Sequence, residues 1–354
     1  MTIDSVAFIQ RMVEIKSLSG EEQEVATFIA ETMAAWGYEN AHVDAAGNAV
    51  GTRENRDENG DIQTEIVLLG HMDTVPGNIP VRIEDGILHG RGSVDAKGPL
   101  ATFVVAGAQA ELPAGTRIVV IGATEEEAAT SKGARHVRDL YRPNFCIIGE
   151  PSAWQGVTLG YKGRVLIDYA LSQDMGHTAG PETSPAETAV EFWNTLKRYC
   201  DQFNDGRDKL FDQILPSIRH IYNDSDGMTN RAEMKLGFRL PPDYDVQEIL
   251  DLAQAHQGEA ELTHYAHEPA YHSKRTNKLA KAFSRAILKN GGKPRPKRKT
   301  GTSDMNVVGP IWQCPIIAYG PGDSTLDHTP IEHLRLDEYQ KAIDVLTYVL
   351  SHKI

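Results

Sequence analysis

The sequence places histidine and carboxylate side chains at spacings that suit divalent metal ions. His71 and Asp73 are two residues apart, and in an extended segment residues i and i+2 point to the same side. A carboxylate behind a metal-bound histidine fixes the tautomer of the imidazole and raises its basicity. Asp95 follows in a loop bounded by glycines, GRGSVDAKGP, where its two carboxylate oxygens could bind two ions at once. An isolated H-x-D motif is weak, and by itself it favours a structural histidine.

Three consecutive glutamates, Glu125, Glu126 and Glu127, follow an apolar run. They are also typical of a solvated helix start, because acidic residues favour a helix N-terminus. Beside His71 and Asp95, a hydrolytic site is the better interpretation. Such a site needs one carboxylate on a metal ion and an adjacent carboxylate that moves protons.

Two further residues complete the candidate ligand set. Glu150 lies in the segment IIGEPS, and His328 lies in the segment GPGDSTLDHTP. Each of two ions could then take one histidine, one terminal carboxylate and a share of Asp95. Nitrogen and oxygen ligands of this kind suit zinc, with cobalt or manganese as substitutes.

The elements that must position these residues are four apolar runs that each end at a glycine. They occupy residues 66–70, 118–122, 146–149 and 316–320. Continuous apolarity is typical of strands covered on both faces, and helical patterns at residues 100–110 and 131–140 lie between the runs. We therefore expect an α/β fold with a mixed, largely parallel central sheet sandwiched by helices. The candidate ligands come just after the runs, where ligands bind in open α/β sheets.

The middle of the chain has a different pattern. From residue 164 the apolar residues alternate more strictly, with helical patterns at 186–203 and 246–256. This predicts a smaller α+β two-layer domain at residues 164–269, inserted into a catalytic domain formed by residues 1–163 and 270–354. Near the N-terminus, Ser19 and Glu22 fit a capping box and Gly37 fits a helix stop, so the first 36 residues are expected to form two helices.

Composition and charge argue against some binding functions and indicate a cellular compartment. The 354 residues include 49 acidic and 36 basic side chains, a formal charge of -13, which argues against broad binding to nucleic acid or to anionic membranes. Three widely spaced cysteines without a C-x-x-C motif disfavour a disulfide scaffold or a thiolate zinc site and indicate a reducing compartment. No signal-peptide pattern and no apolar stretch of membrane-spanning length occur. We expect a cytoplasmic protein.

Five segments, HMDTVP, GRGSVDAKG, TEEEA, GEPS and GPGDSTLDHTP, occur in this order between residues 70 and 330. Together they resemble the dinuclear zinc amidohydrolase and peptidase family that includes aminoacylase, acetylornithine deacetylase and succinyl-diaminopimelate desuccinylase. The resemblance implies these roles for the matching residues: His71 and Glu150 on one ion, Glu127 and His328 on the other, Asp95 bridging both ions, Asp73 supporting His71, and Glu126 as general base and acid. It also implies a cis peptide bond between Asp95 and Ala96.

The resemblance extends to the inserted domain. In this family that domain forms a homodimer, and a histidine from it crosses to the partner's active site. The turn Gly176-His177-Thr178 matches this position, which implies that His177 donates a hydrogen bond to the developing oxyanion. Asn230, Arg239 and Thr302 match positions that hold the substrate.

Two departures from the family pattern indicate a subgroup. Glu125 stands where the family usually has aspartate, and Pro99 stands where a second glycine is common. The segments GEPSAWQGVTLGYKGR and KTGTSDMNVVGP are similar to a biosynthetic subgroup whose substrate is a small acidic amino-group carrier protein. Its members release lysine or ornithine by cleaving an amide on the γ-carboxyl group of the carrier's terminal glutamate.

Two other functions stay open at this stage. One is hydrolysis of a free N-acetyl-lysine, N-acetylornithine or dipeptide by the same chemistry. The other is a metal-binding scaffold protein without turnover, against which the intact Glu126 and the complete ligand set argue. The basic run at residues 293–299 also has two interpretations of equal weight, a solvated loop and a docking site for the acidic carrier.

Overall fold

The computed structural model describes residues 3–177, 180 and 182–354. The chain folds into two compact units. The first contains the described residues up to Gly160 together with His272–Arg298 and Ser303–Ile354, and the second contains Tyr161–Tyr271 and Lys299–Thr302.

The elements are numbered in chain order. The strands are β1 (Glu39–Val43), β2 (Ala49–Asn55), β3 (Thr64–His71), β4 (Arg82–Glu84), β5 (Ile87–His89), β6 (Thr116–Ala123), β7 (Phe145–Gly149), β8 (Gly156–Tyr161), β9 (Gly163–Asp174), β10 (Leu215–Ser225), β11 (Thr229–Leu240), β12 (Glu261–Glu268), β13 (Tyr271–His272), β14 (Arg295–Lys299), β15 (Ile316–Tyr319) and β16 (His333–Arg335). The helices are α1 (Ser5–Glu14), α2 (Gln23–Ala35), α3 (Lys97–Gln109), α4 (Lys132–Leu140), α5 (Pro185–Asn204), α6 (Val246–Ala255), α7 (Lys278–Lys289), α8 (Asp304–Trp312) and α9 (Leu336–Leu350). None of these helices, within the part of the chain that the structure describes, has the length and apolarity to span a membrane.

The central sheet of the first unit is mixed, as predicted. Its strand order is β1-β2-β6-β3-β7-β15-β8-β13, and β14 pairs with β8. The four predicted apolar runs form β3, β6, β7 and β15, which are adjacent and mutually parallel. β2 and β8 pair antiparallel with this central group.

Helices cover both faces of this sheet. Ile66 and Leu68 belong to a core that also contains side chains of α1, α3, α7 and α9. Val67 and Leu69 alternate with them on the strand and are also fully buried, while α4 and α8 pack against each other and against β6 and β15. A strand buried on both faces requires a continuous apolar run, which is why these strands were recognisable in the sequence. The expected α/β fold with a largely parallel sheet between helices is confirmed.

The predicted capping box at the start of α2 is wrong, although the helix itself is present. Glu22 is the N-cap residue of α2 but makes no side-chain cap hydrogen bond. Ser19 instead donates to Asp73, and the Glu22 carboxylate accepts the N–H of Glu125. Tertiary hydrogen bonds have therefore replaced the local ones. The predicted stop at Gly37 is confirmed, since this residue follows the helix with φ +84.

The second unit contains an antiparallel sheet and two helices. Its strand order is β10-β11-β9-β12, and α5 and α6 contribute to a separate apolar core with the strands. The start of α5 has a true capping box, formed by Ser184 and Glu187. β10 lies at one edge of the sheet, and its residues 217–225 are exposed.

Candidate metal centre and active site

The candidate ligands that follow the parallel strands lie at a single edge of the sheet. His71 is the last residue of β3, Glu150 directly follows β7, and residues 125–127 follow β6. His328 lies in the segment after β15. Because adjacent parallel strands end at the same edge, these residues converge there.

The converging side chains form two groups with metal-ligand geometry. Ligand atoms of His71, Asp95 and Glu127 all lie within 4.8 Å of one another. Ligand atoms of His71, Glu126 and Glu150 satisfy the same limit. The structure thus gathers nitrogen and oxygen donors of the type that zinc takes in catalytic sites.

Asp95 lies between the two histidines. Its Oδ1 is 3.3 Å from the Nε2 of His71, and its Oδ2 is 3.0 Å from the Nε2 of His328. The same His328 nitrogen is 2.9 Å from Oε1 of Glu127. One carboxylate therefore offers a different oxygen to each histidine, which is the arrangement that a bridging ligand requires.

Two glutamates of the cluster have the raised pKa values that are typical of crowded carboxyl groups at a cation site. Burial raises the pKa of Glu126 well above its ordinary value, and the charges of Glu150, Asp304 and Glu127 raise it further, against the opposing effect of His71. Burial likewise raises the pKa of Glu127, and the charge of Asp95 adds to this effect. Crowded buried carboxylates repel one another unless a cation compensates them. The donor set consequently fits divalent metal ions.

The pKa values of the two histidines are also raised, but here the cause is the neighbouring carboxylates, which favour the charged imidazole. Burial would lower the pKa of His71, but its interactions with Asp73 and Asp95 raise it well above the ordinary value. Hydrogen bonds to Asp95 and Glu127 raise the pKa of His328 to about 10. Both shifts favour the protonated imidazole, so a metal ion would have to displace protons here, since a histidine ligand must be neutral.

Asp73 organises the backbone of the glutamate segment as well as His71. Its Oδ1 is 3.3 Å from the Nδ1 of His71 and accepts the N–H of Glu126 at 3.1 Å. Its Oδ2 accepts the N–H of Glu127 at 3.0 Å and the Ser19 hydroxyl at 2.7 Å. The side chain is fully buried, so these contacts fix the imidazole and both glutamates relative to each other.

The family departure at Glu125 has a structural consequence. Glu125 has φ +56, a left-handed conformation that aspartate and asparagine adopt more readily than glutamate. Its N–H donates to Glu22 at 2.9 Å, and its carboxylate accepts the Thr130 hydroxyl at 2.6 Å. These two contacts stabilise Glu125 in a left-handed backbone conformation that glutamate adopts less readily.

The loop that carries Asp95 is held by a residue that the sequence did not single out. The predicted cis peptide bond between Asp95 and Ala96 is confirmed. Oε1 of Glu332, a fully buried residue, accepts the N–H groups of Val94 and Asp95, and its Oε2 pairs with Arg91 at 2.6 Å. Glu332 follows His328 by four residues, and only this proximity could have pointed to it.

The remaining predicted site residues lie in the second unit. His177 is exposed beyond the end of β9 and lines a cavity of about 750 Å³ together with Asn230. Arg239 donates to the Thr302 hydroxyl at 2.6 Å. Within this unit the structure therefore groups the four residues into two pairs. Thr178, the third residue of the predicted turn, lies outside the described residues.

The fold and the two ligand groups together define a metal-dependent hydrolase. The chain belongs to peptidase family M20/M25/M40, whose sequence model matches residues 67–352. The predicted family and the hydrolase class are thereby confirmed. Proteins of this family bind metal ions in pairs.

Two relatives and one solved structure illustrate the similarity. The chain is 47% identical to the LysW-lysine hydrolase of Deinococcus radiodurans, over 98% of this chain and 96% of the relative. It is 33% identical to the LysW-lysine/LysW-ornithine hydrolase of Saccharolobus islandicus, over 81% of this chain and 80% of the relative. The M20 family metallo-carboxypeptidase Sso-CP2 from Sulfolobus solfataricus superimposes with a TM-score of 0.81, covering 99% of both chains at 18% identity. That last likeness concerns the fold alone.

Proposed function

We propose that this protein hydrolyses the amide bond that joins lysine, or ornithine, to the terminal glutamate of a LysW-type amino-group carrier protein. The observation that carries the proposal is the 47% identity to a LysW-lysine hydrolase over 98% of the chain. The convergence of His71, Asp95, Glu126, Glu127, Glu150 and His328 at one sheet edge supports it, because amide hydrolysis at a metal centre needs such a donor set with a neighbouring base.

The proposed ligands follow the family arrangement. His71 and Glu150 would hold one ion, Glu127 and His328 would hold the other, and Asp95 would contact both. When bound, the ions supply Lewis acidity, which acidifies water and polarises the amide carbonyl. Zinc is the proposed metal because the donors are imidazole nitrogens and carboxylate oxygens, and cobalt or manganese would suit the same set.

Glu126 is the proposed general base and acid. It takes a proton from the attacking water and returns that proton to the leaving α-amino group of lysine. Burial and the neighbouring carboxylates raise the pKa of Glu126, which helps this group to hold the proton that it later returns. Asp73 positions the Glu126 backbone and His71, so its proposed role is support.

The second unit is proposed to act as a lid and dimerisation domain. Strand β10 supports this idea because it is an exposed sheet edge that carries Ile218, Ile221 and Tyr222, which are 40%, 54% and 49% exposed. Unpaired apolar edges are templates for pairing with another chain, and a homodimer would pair two identical edges across a two-fold axis.

The proposed substrate contacts also come from this domain. His177 of one subunit would donate a hydrogen bond to the oxyanion in the partner's active site. Asn230, Arg239 and Thr302 would bind the rest of the substrate. The exposure of His177 and its place beside Asn230 support a role in contacting a ligand.

We also propose a cytoplasmic location. Cys146, Cys200 and Cys314 are all free thiols, and this is typical of proteins from reducing compartments.

The decisive experiment offers the purified protein three substrates side by side. These are the carrier with lysine attached through its terminal glutamate, Nα-acetyl-lysine and Nα-acetylornithine. We expect zinc-dependent release of lysine from the carrier, detected as free amino acid and as the matching mass loss of the carrier. Faster turnover of an acetyl substrate would identify a deacetylase, and no chelator-sensitive turnover of any substrate would identify a scaffold protein.

A further inference from the structure

The distribution of charge along the chain is strongly uneven. Between Glu268 and Asp304 the sequence contains eleven lysine and arginine residues and no acidic residue. The whole chain nevertheless has a formal charge of -13. This segment contains the consecutive elements α7 and β14, which together carry eight of the eleven basic residues.

Six of these side chains form what we call the basic surface. They are exposed to solvent: Lys278, Lys281, Arg285, Lys289, Lys293 and Arg295. The four helical members are spaced by three or four residues and so share one face of α7. The opposite face, which includes Leu279, Phe283 and Ile287, is buried in the core.

The fold does not account for the basic surface. Among the residues that the structure describes, none of its six side chains makes an ion pair or a hydrogen bond. Lys281, Arg285 and Lys289 are like charges at i, i+4 spacing, which destabilises a helix. An ordinary solvated helix face mixes both signs of charge, whereas this one carries a single sign. The pattern therefore indicates a binding partner of the opposite charge.

The basic run also makes direct contact with the segment that carries a proposed metal ligand. The Arg295 N–H donates to the Gln155 carbonyl at 2.9 Å, and Lys297 Nζ donates to the Ser152 carbonyl at 2.8 Å. Ser152 follows Glu150 by two residues. The Lys297 side chain is therefore occupied by a hydrogen bond within the fold. The exposed cations of the basic surface are the ones available to a partner.

We infer that the basic surface docks an acidic face of the carrier protein whose terminal glutamate bears the substrate, an inference that rests on the proposed function. A protein substrate must be held by contacts outside the site where its tail is cleaved. Complementary charge raises the association rate of two proteins and fixes their orientation. At Arg295 the surface contacts Gln155, five residues after the proposed ligand Glu150, so a carrier docked there would lie next to the segment that supplies this ligand.

The test neutralises three helical members together, Lys281→Gln, Arg285→Gln and Lys289→Gln. The dissociation constant for the lysine-bearing carrier is measured by surface plasmon resonance with the triple change added to Glu126→Gln, whose own Kd is the reference, so that the carrier is not cleaved during the measurement. KM is measured without the Glu126 change, for that carrier and for Nα-acetyl-lysine. We expect Kd and KM for the carrier to rise about tenfold, since each exposed pair contributes little and the three act together. The kcat for the carrier and the KM for Nα-acetyl-lysine should not change, and the salt dependence of carrier binding should weaken.

A matched control removes three exposed cations elsewhere, Arg142→Gln, Lys209→Gln and Lys353→Gln, with the same change of net charge. This control should bind the carrier as the wild type does. A carrier Kd equal to the wild-type value in the helical variant overturns the docking surface, as does an equal loss in the control. The docking surface is also overturned if the helical variant binds the carrier as the wild type does but loses affinity for an oligonucleotide. Because Kd is read without turnover, a failure of docking is distinguishable from a failure of hydrolysis.

Discussion

Glu332 accepts the backbone N–H of Asp95 at 3.1 Å. The same carboxylate pairs with Arg91 through its second oxygen, so its orientation is fixed from both sides. Asp95 in turn lies between the two histidines of the cluster. Glu332 is therefore a positioning residue, whose effect on a metal ion would pass through the peptide that it holds.

Replacing Glu332 by glutamine is expected to weaken metal binding about 10–100-fold, the usual effect of losing an outer contact to a ligand. The amide retains one acceptor oxygen but turns an NH2 group toward Arg91, which disturbs the loop that carries Asp95. The measurement is a zinc titration against a competing chelator, with thermal unfolding recorded in parallel.

Glu338→Gln provides the matched control for that variant. Glu338 also accepts two backbone N–H groups, those of Trp154 and Gly322, through one oxygen. It should lose stability without a comparable loss of zinc affinity. Equal zinc affinity in the wild type and in Glu332→Gln would contradict the positioning role.

The sequence revealed the strands and the residues that follow them because both features are local. A strand covered on both faces reads as a continuous apolar run, and His71 and Glu150 stand at the ends of such runs. The contact between His71 and Asp73 was also predicted, because these residues are two positions apart. The other contacts that orient the site were not recognisable, because they join positions far apart in the chain. Ser19 and Glu22 have the spacing of a capping box, yet they bind Asp73 and Glu125. Nothing in a local pattern distinguishes the two outcomes.

Glu126→Gln should bind metal normally and lose activity about 10²–10⁴-fold, the usual contribution of a general base. The amide is similar in size to the carboxylate but cannot take a proton from water. The measurement combines metal analysis with kcat for the carrier-linked substrate. Glu125→Gln is the control, because the Glu125 carboxylate binds Thr130, and it should stay close to wild-type activity.

Zinc binding should release protons and weaken as the pH falls. The pKa of His328 is raised to about 10 and that of His71 is also raised, and both shifts favour the protonated imidazole when no metal is bound. A metal ion must displace those protons, and each proton released changes the apparent affinity by about tenfold per pH unit. Titration calorimetry in two buffers of different ionisation enthalpy counts the protons. His328→Ala should release about one proton fewer, and a buffer-independent enthalpy for the wild type would contradict the ligand assignment.

The proposed crossing of His177 to the partner's site can be tested by mixing two inactive proteins. His177→Ala lacks the proposed oxyanion donor, and Glu126→Gln lacks the proposed base. If each active site combines Glu126 of one subunit with His177 of the other, a heterodimer of these variants has one intact site and one doubly defective site. Random exchange of subunits should then restore about a quarter of wild-type activity. If His177 served its own subunit, the mixture would stay inactive.

The proposed dimer can be tested separately with Ile221→Lys in the exposed edge strand. This variant should be a monomer by light scattering. It should lose turnover but keep its zinc, because the proposed metal ligands all lie in the other unit.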